Sequence, residues 1–409
     1  MSKHYVVSDQ RKTRRRQHVR VLIAVVVVLL TGSGVWFTVY THNKNRPPVS
    51  SVQKTASVTT TPVISSVTGR YLFHGTTTWA RAVERDSRRA DGTYDYAHPF
   101  SQLNTFNRSG YDAWMTSFEC PITTNTVPFS VQVSQLTFNC RPEFLSEAKK
   151  FFDIYDLANN HTGDQAGAAG LAETRRHLSE AGVQYFGSFD PGVTDDICEV
   201  ITLPVRLQKA DNSEAKAEIP VAMCGWHYFF RTPQPGEIEQ MKQYAKIMPV
   251  FAFVEMGTEY QAKASSIQED IAHKIADQGP EFVIANNPHW VQNTEAYNGT
   301  LIVYATGNFI FDQLEPEEQR SASIDVTISI PYDANVQQWI DLAQECKTYQ
   351  DSCLQKATSK SLRKVGLKLK YAVVAGQGGA GKLTHRADPA TQDAVEKRMN
   401  WQETLNALQ

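Results

Sequence analysis

Five short polar clusters stand directly after apolar runs in this chain: Gly75-Thr-Thr-Thr78, Glu119, Asn159-Asn-His161, Glu255 to Tyr260, and Asn286-Asn-Pro-His289. They supply imidazole, carboxylate, amide and hydroxyl groups, the side chains that exchange protons and donate lone pairs. An isolated Asn-Asn-His is ordinary, because a buried histidine with a satisfied hydrogen bond is common. Five clusters in succession are not. In α/β folds chemistry gathers outside the carboxyl ends of strands, so the pattern predicts that these residues meet on one rim.

The elements that would carry them are legible. Tyr71-Leu-Phe73 opens a strand, followed by a Gly turn and a helix. Phe151 to Ala158 reads as a strand ending at the Asn-Asn-His cluster. Gly170–Ala181 reads as a helix closed by Gly182, with Val183–Gly187 as the next strand. Val250–Val254 and Phe282–Ala285 are apolar strands on either side of an amphipathic helix over Ala262–Asp277. His227, beside Trp226 and Tyr228, reads as packed aromatic surface, and Asp312 as the cap of a turn. Gly163 and Gly167 serve the turn after His161. Glu259 and Tyr260 either tie a helix start to the core or meet a substrate.

Charge is split along the chain. Residues 1–46 hold nine Lys/Arg and one Asp, whereas the rest hold 32 basic and 42 acidic side chains. An acidic body repels phosphate backbones, which excludes nucleic acid as a general partner. Residues 21–40 carry no charge, and twenty helical residues at about 1.5 Å each cross a bilayer core of about 30 Å. Seven of the nine basic residues precede them, so the positive-inside bias puts the N-terminus in the cytoplasm and the body outside. A cleaved signal peptide is the competing reading, and it exports the body too. Residues 41–66, with ten Ser/Thr and three Pro, read as a solvated tether.

The cysteines agree with export. All six lie beyond residue 100, and neighbour pairing (Cys120 with Cys140, Cys198 with Cys224, Cys346 with Cys353) is preferred among the fifteen possible connectivities. Buried free thiols are the alternative. The Gly376-Gln-Gly-Gly-Ala-Gly-Lys382 run mimics a phosphate-binding loop. However, Leu383 stands where the hydroxyl belongs and Pro389 interrupts the helix that should follow, so a Gly-rich turn between strands is expected.

From about Gly69 to Pro331 the chain resembles the CapA family, poly-γ-glutamate capsule proteins with a calcineurin-like metallophosphatase fold. The motifs that carry the resemblance are Asn159-Asn-His-Thr-Gly-Asp164, Gly257-Thr-Glu-Tyr260, Pro288-His289 with Glu295-Ala-Tyr-Asn-Gly299, and Tyr304-Ala-Thr-Gly-Asn-Phe-Ile-Phe-Asp312. Phe118-Glu-Cys-Pro-Ile122 and Gly75 with Arg81 match more weakly. The resemblance implies an α/β fold, a four-layer α-β-β-α metallophosphatase-like sandwich over residues 67–331, preceded by one transmembrane helix. Residues 332–409 would be a C-terminal extension, whose helical tail either packs on the body or binds a partner.

The resemblance also implies a metal site, with Glu119, Asn160, His161 and His289 as ligands and Glu255 and Asn287 as substitutes. His161 and Glu259 are the candidate catalytic residues. In relatives of that fold two divalent ions about 3.5–4 Å apart activate water. Here the motif departs in three places: Thr76 replaces a carboxylate, Glu255 an imidazole, and Asn286-Asn287 a His-His pair. What survives is oxygen-rich and suits Mn, Mg or Ca, with one ion or none bound. The expected partners are an anionic envelope polymer or a phosphoester, the membrane itself, and a membrane synthase complex. The second reading is a non-catalytic domain that binds polymer or a partner.

Overall fold

The computed structural model describes residues 64–190, 197–378 and 383–409. The expected cytoplasmic tail and anchor, and the tether as far as residue 63, lie outside the described residues. Residues 62–409 form one compact unit. Among the described residues no helix is long and apolar enough to cross a membrane.

One strand organises this unit. β1 (Ile64–Thr77) takes up the last three residues of the expected tether, because Ile64 and Ser66 already pair with Lys209 and Gln208. Its first half lies antiparallel between β12 (Arg320–Pro331) and β5 (Cys198–Lys209). Its second half runs parallel to β2 (Ala113–Phe118) and to β11 (Asn308–Ile310). From β2 the pairing continues in parallel through β3 (Ile154–Asp156) to β4 (Gln184–Phe186). From β5 it passes through β6 (Glu214–His227), then in parallel through β7 (Val250–Glu255), β8 (Phe282–Asn286) and β10 (Thr300–Val303). β9 (Thr294–Tyr297) closes that edge.

β7 and β8 read Val-Phe-Ala-Phe-Val-Glu and Phe-Val-Ile-Ala-Asn and are buried throughout, as strands covered on both faces must be. The two runs of strands stack. Phe73 of β1 meets Phe251, Phe253 and Phe282, with ring centroids 6.1, 5.7 and 5.4 Å away. Alternate residues on the other face, Leu72, Trp114 and Tyr155, pack instead with Phe152 and with Leu178 of α1 (Ala168–Ala181). α1 ends where Gly182 turns left-handed, as its sequence predicts. α2 (Ser266–Ala276) starts at a capping box between Ser265 and Gln268 and buries Ile271 and Ile275.

Residues 332–409 belong to the same unit. β13 (Lys368–Gln377) pairs antiparallel along β12 from Ser329 to Arg320. α3 (Ala334–Thr348) buries Trp339 and Leu342 in the core shared with β5 and β6. α4 (Gln350–Ser359) is stapled to it by Cys346–Cys353. α5 (Pro389–Met399) and α6 (Trp401–Ala407) pack back on the body, where Thr294 Oγ1 donates to the Met399 carbonyl at 2.8 Å. The Gly-rich run joins β13 to β14 (His385–Arg386), its residues 379–382 outside the described ones, and no helix follows at the phosphate-loop position.

All three neighbour disulfides are present and no cysteine is free. Cys198 and Cys224 face each other across the β5–β6 pair. Removing that bridge with Cys198→Ser and Cys224→Ser is expected to cost about 3 kcal/mol, since its closed loop spans 26 residues. Urea unfolding of the double variant checks this, and an unchanged midpoint would refute it.

Candidate functional site

The parallel strands bring their carboxyl ends together, and the polar clusters follow. At the end of β1, Gly75 lies so close to Gly307 that any Cβ would run into its carbonyl. Next to it the buried Thr76 donates its N–H to Gly307 O at 3.0 Å, and its hydroxyl has no partner among the described residues. Glu119 follows β2, its N–H held by Thr77 O at 3.0 Å. Its side chain is buried, with Oε2 unpartnered among the described residues and Oε1 3.8 Å from His161 Nε2.

His161 is fixed from three sides. Asn159 Oδ1 accepts its backbone N–H at 2.8 Å. Asp164 Oδ2 lies 2.7 Å from Nδ1 and also accepts the Phe138 N–H. The Phe138 ring stacks on the imidazole, centroids 3.9 Å apart and planes nearly parallel. Asn159 uses its Nδ2 to reach Glu255 Oε1 at 3.0 Å, tying the β3 and β7 ends together. Asn159 therefore fills the buried bridging place, whereas the neighbouring candidate Asn160 is only half-buried.

On the β8 side, Asn286 Oδ1 accepts from Thr306. Asn287 donates its Nδ2–H to Gly257 O at 2.6 Å. His289 is held through Nδ1 by Asn308 Oδ1 at 2.8 Å, and its Nε2 lies 3.8 Å from Glu259 Oε1. Tyr260 and Phe311 flank its ring. Glu259 is 37% exposed and stands at the rim. Tyr260 donates its N–H to Pro288 O, so that segment does tie to the core.

Electrostatics follow from burial. The Glu255 carboxyl is pushed well above the usual range, first by burial, then by the charges of Glu119, Asp156 and Glu259. Asp156, at the end of β3, is pushed up to about 7 by burial, only partly offset by the Ala158 N–H. It fits against Gly225, where a Cβ would come within 2.6 Å of Oδ1. For His161 burial acts to lower the pKa, but the Asp164 hydrogen bond and the Glu119 charge together outweigh it, and the net shift is upward. His227 goes the other way, to about 4, through burial and despite its bond to the Phe189 carbonyl.

Arg81 also reaches this rim. It pairs with Asp312, whose Oδ2 accepts the Ala82 N–H at the start of the helix Arg81–Asp86, so Asp312 does act as a cap. Among the candidates, then, Glu119 and His161 face each other, Glu255 feels the charge of Glu119, and His289 faces Glu259. Sequence reasoning assigned no role to Asp156, Asn159, Asp164, Phe138 or Asn308. For Asn159, Asp164 and Asn308 the signal was present, since all three stand inside the quoted motifs. Arrival of Asp156 and Phe138 depends on tertiary contacts.

Among the described residues no three His, Cys, Asp or Glu side chains gather as a group able to hold a metal ion. The donor set is short of charge: Thr76 offers only a neutral hydroxyl and Asn287 only an amide, while Glu255 and His289 each engage one atom elsewhere, Oε1 with Asn159 and Nδ1 with Asn308. With so few charged donors the residues present do not fit a two-metal centre. What they can do is hold an imidazole between two carboxylates, Glu119 and Asp164, a geometry that donates hydrogen bonds and moves protons.

A mixed α/β unit with a polar site at its parallel strand ends is the class that fold and site define. The family model described as bacterial capsule synthesis protein PGA_cap matches residues 67–313, and the chain belongs to that family. It is similar to "PGA biosynthesis protein CapA" of Bacillus subtilis (strain 168), 24% identical over 322 residues, which cover 75% of this chain and 76% of that one. It is also similar to "Capsule biosynthesis protein CapA" of Bacillus anthracis, 28% identical over 176 residues, 40% of this chain and 41% of that one. Among solved structures, the calcineurin-like phosphoesterase YfkN from Bacillus subtilis aligns with 84% of this chain and 99% of its own at 13% identity and a TM-score of 0.39.

Proposed function

We propose that this chain is a membrane-tethered, extracytoplasmic component of capsule polymer production or export, and that its strand-end site binds an anionic envelope polymer of the poly-γ-glutamate type. Residues 21–40 span the membrane with the N-terminus inside. The stacked sheets, with α1 on one outer side and α2 and α3 on the other, form the four-layer sandwich. Three disulfides support an oxidising location. A membrane synthase complex is the setting in which such a body would meet its polymer.

The observation that carries the binding reading is the state of the ligand positions. Glu119 faces His161 and Glu259 faces His289, each at 3.8 Å, while Thr76 supplies only a hydroxyl and Asn287 only an amide where a second ion would need charged ligands. His161, oriented by Asp164, carries its Nε2 toward Glu119 at the strand ends, where an incoming group would meet it.

Metal content and turnover test this reading. The intact chain, purified in detergent, is expected to carry less than about a tenth of an equivalent of Mn, Mg or Ca and to cleave no phosphodiester with or without added Mn. It is expected to retain labelled poly-γ-glutamate. Stoichiometric metal, with turnover abolished by His161→Ala, would replace the reading with a metal-dependent hydrolase.

A further inference from the structure

Most of the strand-end site is acidic, with Glu119, Glu255, Glu259 and Asp156 close enough for the other three to act on Glu255. An anionic polymer needs a fixed cation there. Arg81 is the side chain built for it. Its backbone is left-handed, with φ +52°, a conformation that a residue with a Cβ adopts at a cost. The buried Gln132 accepts its N–H at 3.2 Å and holds it there. Strain of this kind, where a Gly would have been free of it, places the guanidinium rather than the chain.

The guanidinium lies between two rings, 4.3 Å from the centroid of Phe138 and 5.1 Å from that of Phe311. The same two rings contact the two imidazoles: Phe138 stacks on His161, and Phe311 lies 4.9 Å from His289. Arg81 therefore sits between the histidines, and its charge reaches His161. Its side chain is only 12% exposed, yet its ion pair is with Asp312 alone, and that carboxylate is shared with the Ala82 N–H. Nε–H has no partner among the described residues. A flat, always-charged fork with an unused donor, clamped by aromatic faces, matches an oxyanion in a way that a lysine would not.

Resting on the polymer-binding reading above, we propose that Arg81 is the anion-recognition residue of this site, taking a carboxylate or phosphate group of the ligand between His161 and His289. The alternative role for the same contacts is a structural brace that fastens the helix Arg81–Asp86 to the segment after β11. The two roles differ in what happens when Asp312 is neutralised. A brace fails when either partner is removed. A recognition residue is weakened only by its own loss, and freeing it from Asp312 leaves the cation available.

The test is equilibrium binding of labelled poly-γ-glutamate to the intact chain in detergent, at low and high salt, with inorganic phosphate as competitor. Arg81→Gln is expected to weaken binding at least about tenfold and to flatten its salt dependence, and Arg81→Lys to weaken it about fivefold. Asp312→Asn is expected to bind as tightly as the unsubstituted chain or more so. Competition by phosphate would assign the oxyanion to a phosphoester, and its absence to the polymer carboxylates; both outcomes support Arg81 as the recognition residue. If Asp312→Asn loses as much affinity as Arg81→Gln, or if Arg81→Lys and Arg81→Gln bind normally, the proposal falls. If the unsubstituted chain binds neither anion, the polymer-binding reading itself is what has failed.

Discussion

A chain cut after Pro331 is expected to lose its cooperative fold. The cut falls at the end of β12, a natural boundary by sequence, but it strips that strand of β13 along ten paired positions. It also removes Trp339, Cys346, Cys353, Met399 and Trp401 from the core, all of them at most 5% exposed. Each large apolar side chain that loses its cover forfeits about 1.5–3 kcal/mol. Several together exceed the roughly 5–15 kcal/mol by which domains are stable. The same cut breaks the Thr294 bonds to Met399 O and Thr404 Oγ1, which hold β9 at the sheet edge. Urea unfolding followed by circular dichroism decides the matter. A single sharp transition at the full-length midpoint would show that residues 332–409 are dispensable.

Asp156→Asn is expected to stabilise the protein at about pH 8 by on the order of 2–4 kcal/mol and to leave it unchanged near about pH 4. The sign comes from burial. Asp156 ionises near 3.8 when unfolded but at about 7 in the folded chain. Below the unfolded value both states are protonated and the contribution is complete. From 3.8 to about 7 the folded chain keeps a proton that the unfolded chain has released, so stability is lost as pH rises to about 7, above which a charged carboxylate stays in the core. Asparagine keeps the acceptor for the Ala158 N–H and has no charge to bury. Glu255 is shifted in the same direction and leaves a residual slope. His227 works oppositely: its contribution is present above 6.5 and is lost as pH falls toward about 4. Between about 4 and 6.5 the two contributions therefore oppose each other. Identical pH slopes in the variant and the unsubstituted chain, measured by urea unfolding, would disprove the assignment.

The parts of the fold that sequence made legible are those set by local pattern. The wholly apolar runs became β7 and β8, the stretch closed by Gly182 became α1, and the cysteine neighbours paired. What stayed hidden depends on distant contacts. Nothing near Ile64 says that a strand begins inside a Ser/Thr-rich stretch, because its partners are Lys209 on β5 and, two residues on, Pro331 on β12. The site divides in the same way. Glu119, His161 and His289 stand at the strand ends where residue type and position placed them. The perturbation of Asp156 was not legible in that way, because it is made by packing against Gly225 on another strand. Nor was Asn159 distinguishable from Asn160 before Glu255 arrived beside it.

β1 is gripped by β5 and β12 over its first residues and by β2 and β11 over its last. A tug delivered through the chain ahead of Ile64 would act along the strand, across hydrogen bonds that lie perpendicular to it. Such bonds must shear as a set instead of unzipping singly. A body hung from a surface by this strand would be mechanically tough at its point of suspension.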